Sequence, residues 1–292
     1  TVLIVESSNN GQLSGEYYLS DADDSQDNIV QKIKTLSYIS SKPRFVYQPC
    51  ITFIDDDTSS YSLVERYHNA MQSAGAIGNY AVMTKRLTDD SSLKNLLLDY
   101  EKEGYTMLYH CYYQSGNNTA YFLPNESRDI GQVIENVVIG LRDMKQFGFN
   151  SDGRYWVTPY GVNDEAIQKV ARTCGFECML ANATDDIIVN GGNCNRFNLP
   201  RNSMTINDNI ASTIARLKNK IDTVKAVNGW MIITTHANTW DNTTTPEDSI
   251  AEVVSYANTV GVDILSFQEA YESRKAMFYV TEHLENLFGN LC

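Results

Sequence analysis

The chain alternates between two hydrophobic periods. Short, nearly continuous apolar runs of strand length occur at residues 45–54, 79–83, 107–109, 155–158, 177–180, 196–199, 230–235 and 263–266. Between them apolar residues recur every three or four positions, as on the buried face of a helix. Such stretches cover residues 61–74, 93–100, 130–144, 164–173, 209–224, 247–259 and 270–287. In the clearest of them Ile130, Val133, Ile134, Val137, Val138, Leu141 and Met144 mark one face. Gly148 lies just past its end, where a C-cap belongs, and Gly261 closes the helix at 247–259 in the same way. Ile29, Ile33, Leu36 and Ile39 predict an earlier helix. The first twenty residues are polar, apart from Val2 to Val5, and read as an edge strand and loop.

About seven strand–helix alternations, without an internal repeat or a Pro/Gly linker, predict an α/β fold with a parallel sheet and helical crossovers. A chain of 292 residues can bury a large core. At this size a single-domain, closed or nearly closed (β/α) barrel of about seven parallel strands is the economical solution. We expect an N-terminal extension over residues 1–40, its helix packing on the barrel, and the barrel itself over residues 41–292.

Composition narrows the partners. The net charge of −13 argues against nucleic acid, whose phosphates need Lys and Arg, and fits neutral or cationic substrates such as sugars and amino sugars. The 18 tyrosines would suit sugar rings, although Tyr also fills cores. No stretch approaches the roughly 20 apolar residues of a membrane span. The chain starts at Thr1, which raises the expectation that a leader was removed and that the protein is exported to the periplasm, cell surface or medium. Of the cysteines, Cys174, Cys178 and Cys194 leave a disulfide or weak metal cluster open; Cys50, Cys111 and Cys292 complete the set. Buried free thiols are the expected state. Asn117, Asn125, Asn182 and Asn242 open N-x-Ser/Thr sequons.

Candidate chemistry gathers at the strand ends, which form the working rim of a parallel barrel. Residues 51–57 read Ile-Thr-Phe-Ile-Asp-Asp-Asp, an apolar strand that delivers three adjacent carboxylates. Adjacent carboxylates repel one another and persist best beside a cation, a basic partner or water. They suit a metal ligand beside a general base, or a solvated cap after the strand. His110 ends the third strand, Pro159-Tyr160-Gly161 follows the fourth, Pro200-Arg201 follows residues 196–199, and His236 follows residues 230–235. Two of the four histidines thus fall at one rim. His68 and His283 fall on outer helices, where we expect them to be solvated.

In this order the motifs resemble those of the polysaccharide deacetylase family, the NodB-homology carbohydrate esterases. Phe53-Ile54-Asp55-Asp56-Asp57 is similar to the family's Thr-Phe-Asp-Asp-Gly. Residues 104–114 resemble its Gly-x-Glu-hydrophobic-Gly-Asn-His-Ser/Thr-x-x-His in spacing, with the first His kept as His110. Val157-Thr158-Pro159-Tyr160-Gly161 keeps the Pro-Tyr-Gly of Arg-x-Pro-Tyr-Gly, and residues 231–236 match a late apolar strand that ends in His. The likeness runs over most of residues 45–266. It implies the distorted barrel of the polysaccharide deacetylases and a metal-dependent hydrolase that removes N- or O-acetyl groups from a polysaccharide or amino-sugar polymer. By position it implies Asp55 as the base, Asp56 and His110 as metal ligands, and His236 as the acid. Pro159, Tyr160, Arg201 and Trp240 are expected to border an acetylated polysaccharide. The implied ion is zinc, with cobalt or nickel as alternatives.

Three positions depart from the pattern. Gln114 stands where the family has its second metal His, and an amide oxygen suits a harder cation than zinc. Val157 stands where an Arg orients the base. Asp57 replaces a Gly. Either Asp57 supplies the missing ligand, or Gln114 binds through its oxygen, or metal binding is lost. In the last case the chain is a catalytically impaired, deacetylase-like carbohydrate-binding protein. Tyr112, Tyr113, Trp156, Tyr160 and Trp240 suit either sugar faces or loop packing. Gly-x-Ser-x-Gly is absent, so no nucleophile elbow is visible.

Overall fold

The computed structural model of the protein describes residues 3–7, 13–18, 47–113, 121–124, 128–181, 186–189, 195–204, 210–239 and 246–288. Strands β1 (Leu3–Ser7) and β2 (Leu13–Tyr18) pair as an antiparallel hairpin. The other strands form one parallel sheet. They are β3 (Cys50–Asp55), β4 (Asn79–Met83), β5 (Thr106–Cys111), β6 (Tyr155–Val157), β7 (Cys178–Leu180), β8 (Asn202–Ser203), β9 (Trp230–Thr235) and β10 (Asp263–Ile264). The order is β7-β6-β5-β4-β3-β9-β8, and β10 pairs with the first two residues of β3. The seven strands of this path make a half-barrel surrounded by helices, as the alternation predicted.

β3 is central: β9 runs beside its whole length, β10 beside its start and β4 beside its end. All six of its residues are buried. A strand covered on both faces has no reason to alternate polar with apolar, which explains the unbroken run in the sequence. Its side chains still divide by face. Ile51 and Phe53 enter a core with Val82, Met107, Met231 and Ile233, whereas Cys50 and Ile54 join Ala81, Leu108 and Ile232.

The helices are α1 (Tyr61–Ser73), α2 (Thr84–Asp89), α3 (Ser91–Lys102), α4 (Ile130–Phe147), α5 (Glu165–Thr173), α6 (Ile210–Val227), α7 (Pro246–Val260) and α8 (Phe267–Phe288). Aspartates start three of them: Asp90, Asp129 and Asp164 accept hydrogen bonds from N–H groups of the first turns of α3, α4 and α5. Gly148 ends α4 at φ 85°, the left-handed cap its position predicted.

Several expectations change. Residues 196–199 form no strand; Leu199 makes a single bridge to Leu180, and pairing with β9 begins beyond Pro200, at Asn202. Helix α2 was not anticipated, because six residues are too few to display a period. His68 is buried and stacked on Tyr100 with ring centroids 3.6 Å apart, rather than solvated. Of the two readings left open for Trp156, packing holds: it is fully buried and stacks on Phe176. Cys50, Cys111, Cys174 and Cys178 are free thiols. The helix expected around residues 29–39, Cys194 and all four sequons lie outside the described residues. Among the described residues no helix is long and apolar enough to cross a membrane.

Candidate active site

The three adjacent acids at the end of β3 occupy three different environments. Asp55 is the last strand residue, and its side chain turns toward β9. Its Oδ1 accepts hydrogen bonds from the Ala237 N–H at 2.7 Å and the Thr235 hydroxyl at 3.2 Å. Burial pushes its pKa well above the usual carboxylate range. The Asp56 N–H continues the strand pairing to the Thr235 carbonyl at 2.9 Å, so its side chain points away from that of Asp55. Asp57 then turns the chain at φ 56°, in the left-handed region that Gly adopts freely and Asp tolerates better than most residues. This is the position where the resembling motif carries Gly. The turn brings Asp57 back beside Asp56, and its N–H donates to Asp56 Oδ1 at 3.1 Å.

His110 reaches the same point from β5. Its Nδ1 lies 2.7 Å from the Val157 carbonyl oxygen and 3.3 Å from Asp56 Oδ1. Its Nε2 lies 2.9 Å from Asp57 Oδ1. A proton on Nδ1 donated to the Val157 carbonyl leaves Nε2 facing Asp57. Trp156 steadies the same segment by donating its indole N–H to the His110 carbonyl at 2.9 Å. Burial alone would lower the His110 pKa, but the charges of Asp56 and Asp57 and the Asp57 hydrogen bond outweigh it and raise it to about 9. For Asp57, burial works upward. The His110 hydrogen bond and the charges of His110, His236 and Arg86 overcome it, holding the carboxyl at about 2.

Arg201 arrives from the segment before β8. Its Nε donates to the Ala181 carbonyl at 2.6 Å and its Nη1 to Asp56 Oδ2 at 2.7 Å. Arg201 is buried and is a direct partner of Asp56. His236 follows β9; its Nε2 stands 3.8 Å from Asp56 Oδ2, and its side chain is 27% exposed. Its Nδ1 has no hydrogen-bond partner among the described residues. Pro159, Tyr160 and Gly161 form a single 3-10 turn after β6. Pro159 is buried, whereas Tyr160, at φ 55°, is 44% exposed. Gln114 and Trp240 lie outside the described residues.

One ligand atom each from Asp56, Asp57 and His110 gathers within 4.8 Å of the others. The donors are carboxylate oxygens and an imidazole nitrogen oriented by a backbone carbonyl, a set that fits a divalent ion. The 2.9 Å between His110 Nε2 and Asp57 Oδ1 also matches two adjacent ligands of one ion held at about 2.0–2.2 Å. Asp55 stands outside this cluster. The contributions of Ala237, Thr235 and Val157 had no signature in the sequence: two act through the backbone, which every residue type carries, and the third is one hydroxyl among many.

No family model matches the sequence, and no curated protein matches it. Solved structures do match. A protein assigned as a polysaccharide deacetylase from Mycobacterium smegmatis is 12% identical over 78% of this chain and 91% of its own, with a TM-score of 0.58. The chain has the polysaccharide deacetylase fold. A family 4 acetyl xylan esterase from Clostridium thermocellum, solved with a cobalt ion, is 10% identical over 76% of this chain and 90% of its own (TM-score 0.53). A pseudoenzyme of the same esterase family from Bacillus anthracis is 8% identical over 77% of this chain and 66% of its own (TM-score 0.53).

Proposed function

We propose that this protein is a metal-dependent hydrolase that removes N- or O-acetyl groups from a polysaccharide or amino-sugar polymer. The observation that carries the reading is the convergence of Asp56, Asp57 and His110 on one point at the C-terminal rim of the sheet, with His236 beside them. A divalent ion held there supplies Lewis acidity, polarising the acetyl carbonyl and acidifying water. Zinc fits the nitrogen and oxygen donors, and the esterase solved with cobalt supports an ion of this kind. A carboxylate of the cluster takes a proton from water. His236, partly open to solvent, gives one to the departing amine or alcohol. The exposed Tyr160 ring offers an apolar face to a sugar. A polymer substrate outside the cell accords with an exported protein.

A second reading is a carbohydrate-binding protein without turnover. Arg201 and His110 already counter the charges of Asp56 and Asp57, and one structural neighbour is a pseudoenzyme. Metal content and acetate release decide between the two. The hydrolase carries close to one ion per chain and frees acetate from acetylated chito-oligosaccharides or acetylated xylan. A chain that holds no ion and frees no acetate refutes it.

A further inference from the structure

We propose that Arg201 divides the work of two adjacent carboxylates, making Asp56 the general base and leaving the ion to Asp57 and His110. The assignment rests on the hydrolase reading above and deepens it. It departs from the motif's order, which gives the base to Asp55 and the ion to Asp56.

The geometry separates the three acids. Asp55 is enclosed, and its Oδ1 is taken by the Ala237 N–H and the Thr235 hydroxyl. Asp56 is also buried, but each oxygen meets the site: Oδ2 lies 2.7 Å from Arg201 Nη1, and Oδ1 takes the Asp57 N–H at 3.1 Å. Asp57 is the most open of the last pair, with 24% of its side chain exposed against 7% for Asp56. Arg201 is itself anchored by the Ala181 carbonyl at the end of β7, 2.6 Å from its Nε. A guanidinium keeps its charge at every working pH. An ion on Asp56 Oδ2 would therefore set two cations on one oxygen. Asp57 Oδ1 lies 2.9 Å from His110 Nε2, on the more open of the two acids.

Asp56 then faces the ion position without being its principal ligand. Arg201 fixes its orientation, and His236 Nε2 stands 3.8 Å from its Oδ2. In the reaction, water adds its oxygen to the acetyl carbon and its proton passes to Asp56. The bond from that carbon to the sugar's nitrogen or oxygen breaks, and the leaving atom takes a proton from His236. The products are acetate and the freed amine or hydroxyl. Arg201 acts through Asp56 and is a positioning residue.

The test is Zn2+ titration of the full chain, with acetate release measured on the same samples. Asp57→Asn should weaken Zn2+ binding about 100-fold or more, while Asp56→Asn should keep it within about threefold and lose acetate release about 1000-fold. Asp57→Gly guards against a folding defect, because Gly suits the left-handed φ of 56°. Arg201→Met should lower kcat at least about tenfold with Zn2+ affinity and KM little changed, and Arg201→Lys should restore part of it. If Asp56→Asn loses Zn2+ as fully as Asp57→Asn, or Arg201→Met lowers Zn2+ affinity in step with kcat, the assignment is overturned and the hydrolase reading stands. A wild-type chain that neither binds Zn2+ nor frees acetate overturns both.

Discussion

Loading the site with a divalent ion should expel a proton from His110, so affinity should climb with pH. Without the ion the imidazole lies between Asp56 and Asp57, and those carboxylates overcome burial and raise its pKa to about 9. An ion must take the Nε2 lone pair that the proton holds. Below the His110 pKa each pH unit therefore lowers apparent affinity about tenfold, giving roughly 100-fold between the pH-independent limit and pH 7. Asp57, held at about 2, stays ionised throughout and adds nothing to the slope. Zn2+ calorimetry at pH 6, 7 and 8, in two buffers of different ionisation enthalpy, yields both affinity and protons released. We expect close to one proton per ion at pH 7 and about one logarithmic unit of affinity per pH unit. Affinity that stays flat across this range, with no proton released, refutes His110 as a protonated ligand.

Other outcomes follow from the same contacts. Asp55 has a raised folded pKa, so the unfolded chain ionises first and stability is lost as pH rises above the ordinary carboxylate value. Asp55→Asn keeps an oxygen for the Ala237 and Thr235 donors, and thermal melting at pH 7 should show an equal or higher Tm; a fall of about ten degrees contradicts the raised pKa. In the ion-free protein the raised His110 contributes stability in full below its ordinary value of 6.5, and this is lost as pH rises through about 9. Urea midpoints should therefore fall across that window in wild type and stay flat there in His110→Gln. Asn136 joins the Tyr109 hydroxyl, the Tyr112 N–H and the Tyr121 hydroxyl. Asn136→Leu should destabilise the fold by about 2–4 kcal/mol, read from urea unfolding, since buried groups lose their partners; a loss below about 0.5 kcal/mol counts against that network.

Much of the frame was legible because burial leaves a strong pattern. The six buried residues of β9 form an apolar run whose bounds match the expected strand, and Gly148 announced the end of α4. The rim was legible too, since a parallel sheet sends the residues after each strand to one side, which brought Asp56, Asp57, His110 and His236 together. The different surroundings of the three acids were not. Which acid faces inward depends on one left-handed residue, Asp57, and the cation on Asp56 comes from Arg201, 145 positions along the chain. Val157 looked like a lost arginine by side chain, yet its backbone carbonyl orients His110. His68 misled for a related reason: a polar-tipped aromatic ring buries readily once it finds a stacking partner.

On the proposed reading, an ion held at this rim makes the chain a deacetylase. Acetate release from acetylated chito-oligosaccharides and acetylated xylan, measured on chelator-stripped protein before and after adding one equivalent of Zn2+, tests it most directly. The stripped chain should release none, and reloading should restore release. Equal release from both samples, or none from either, would contradict it.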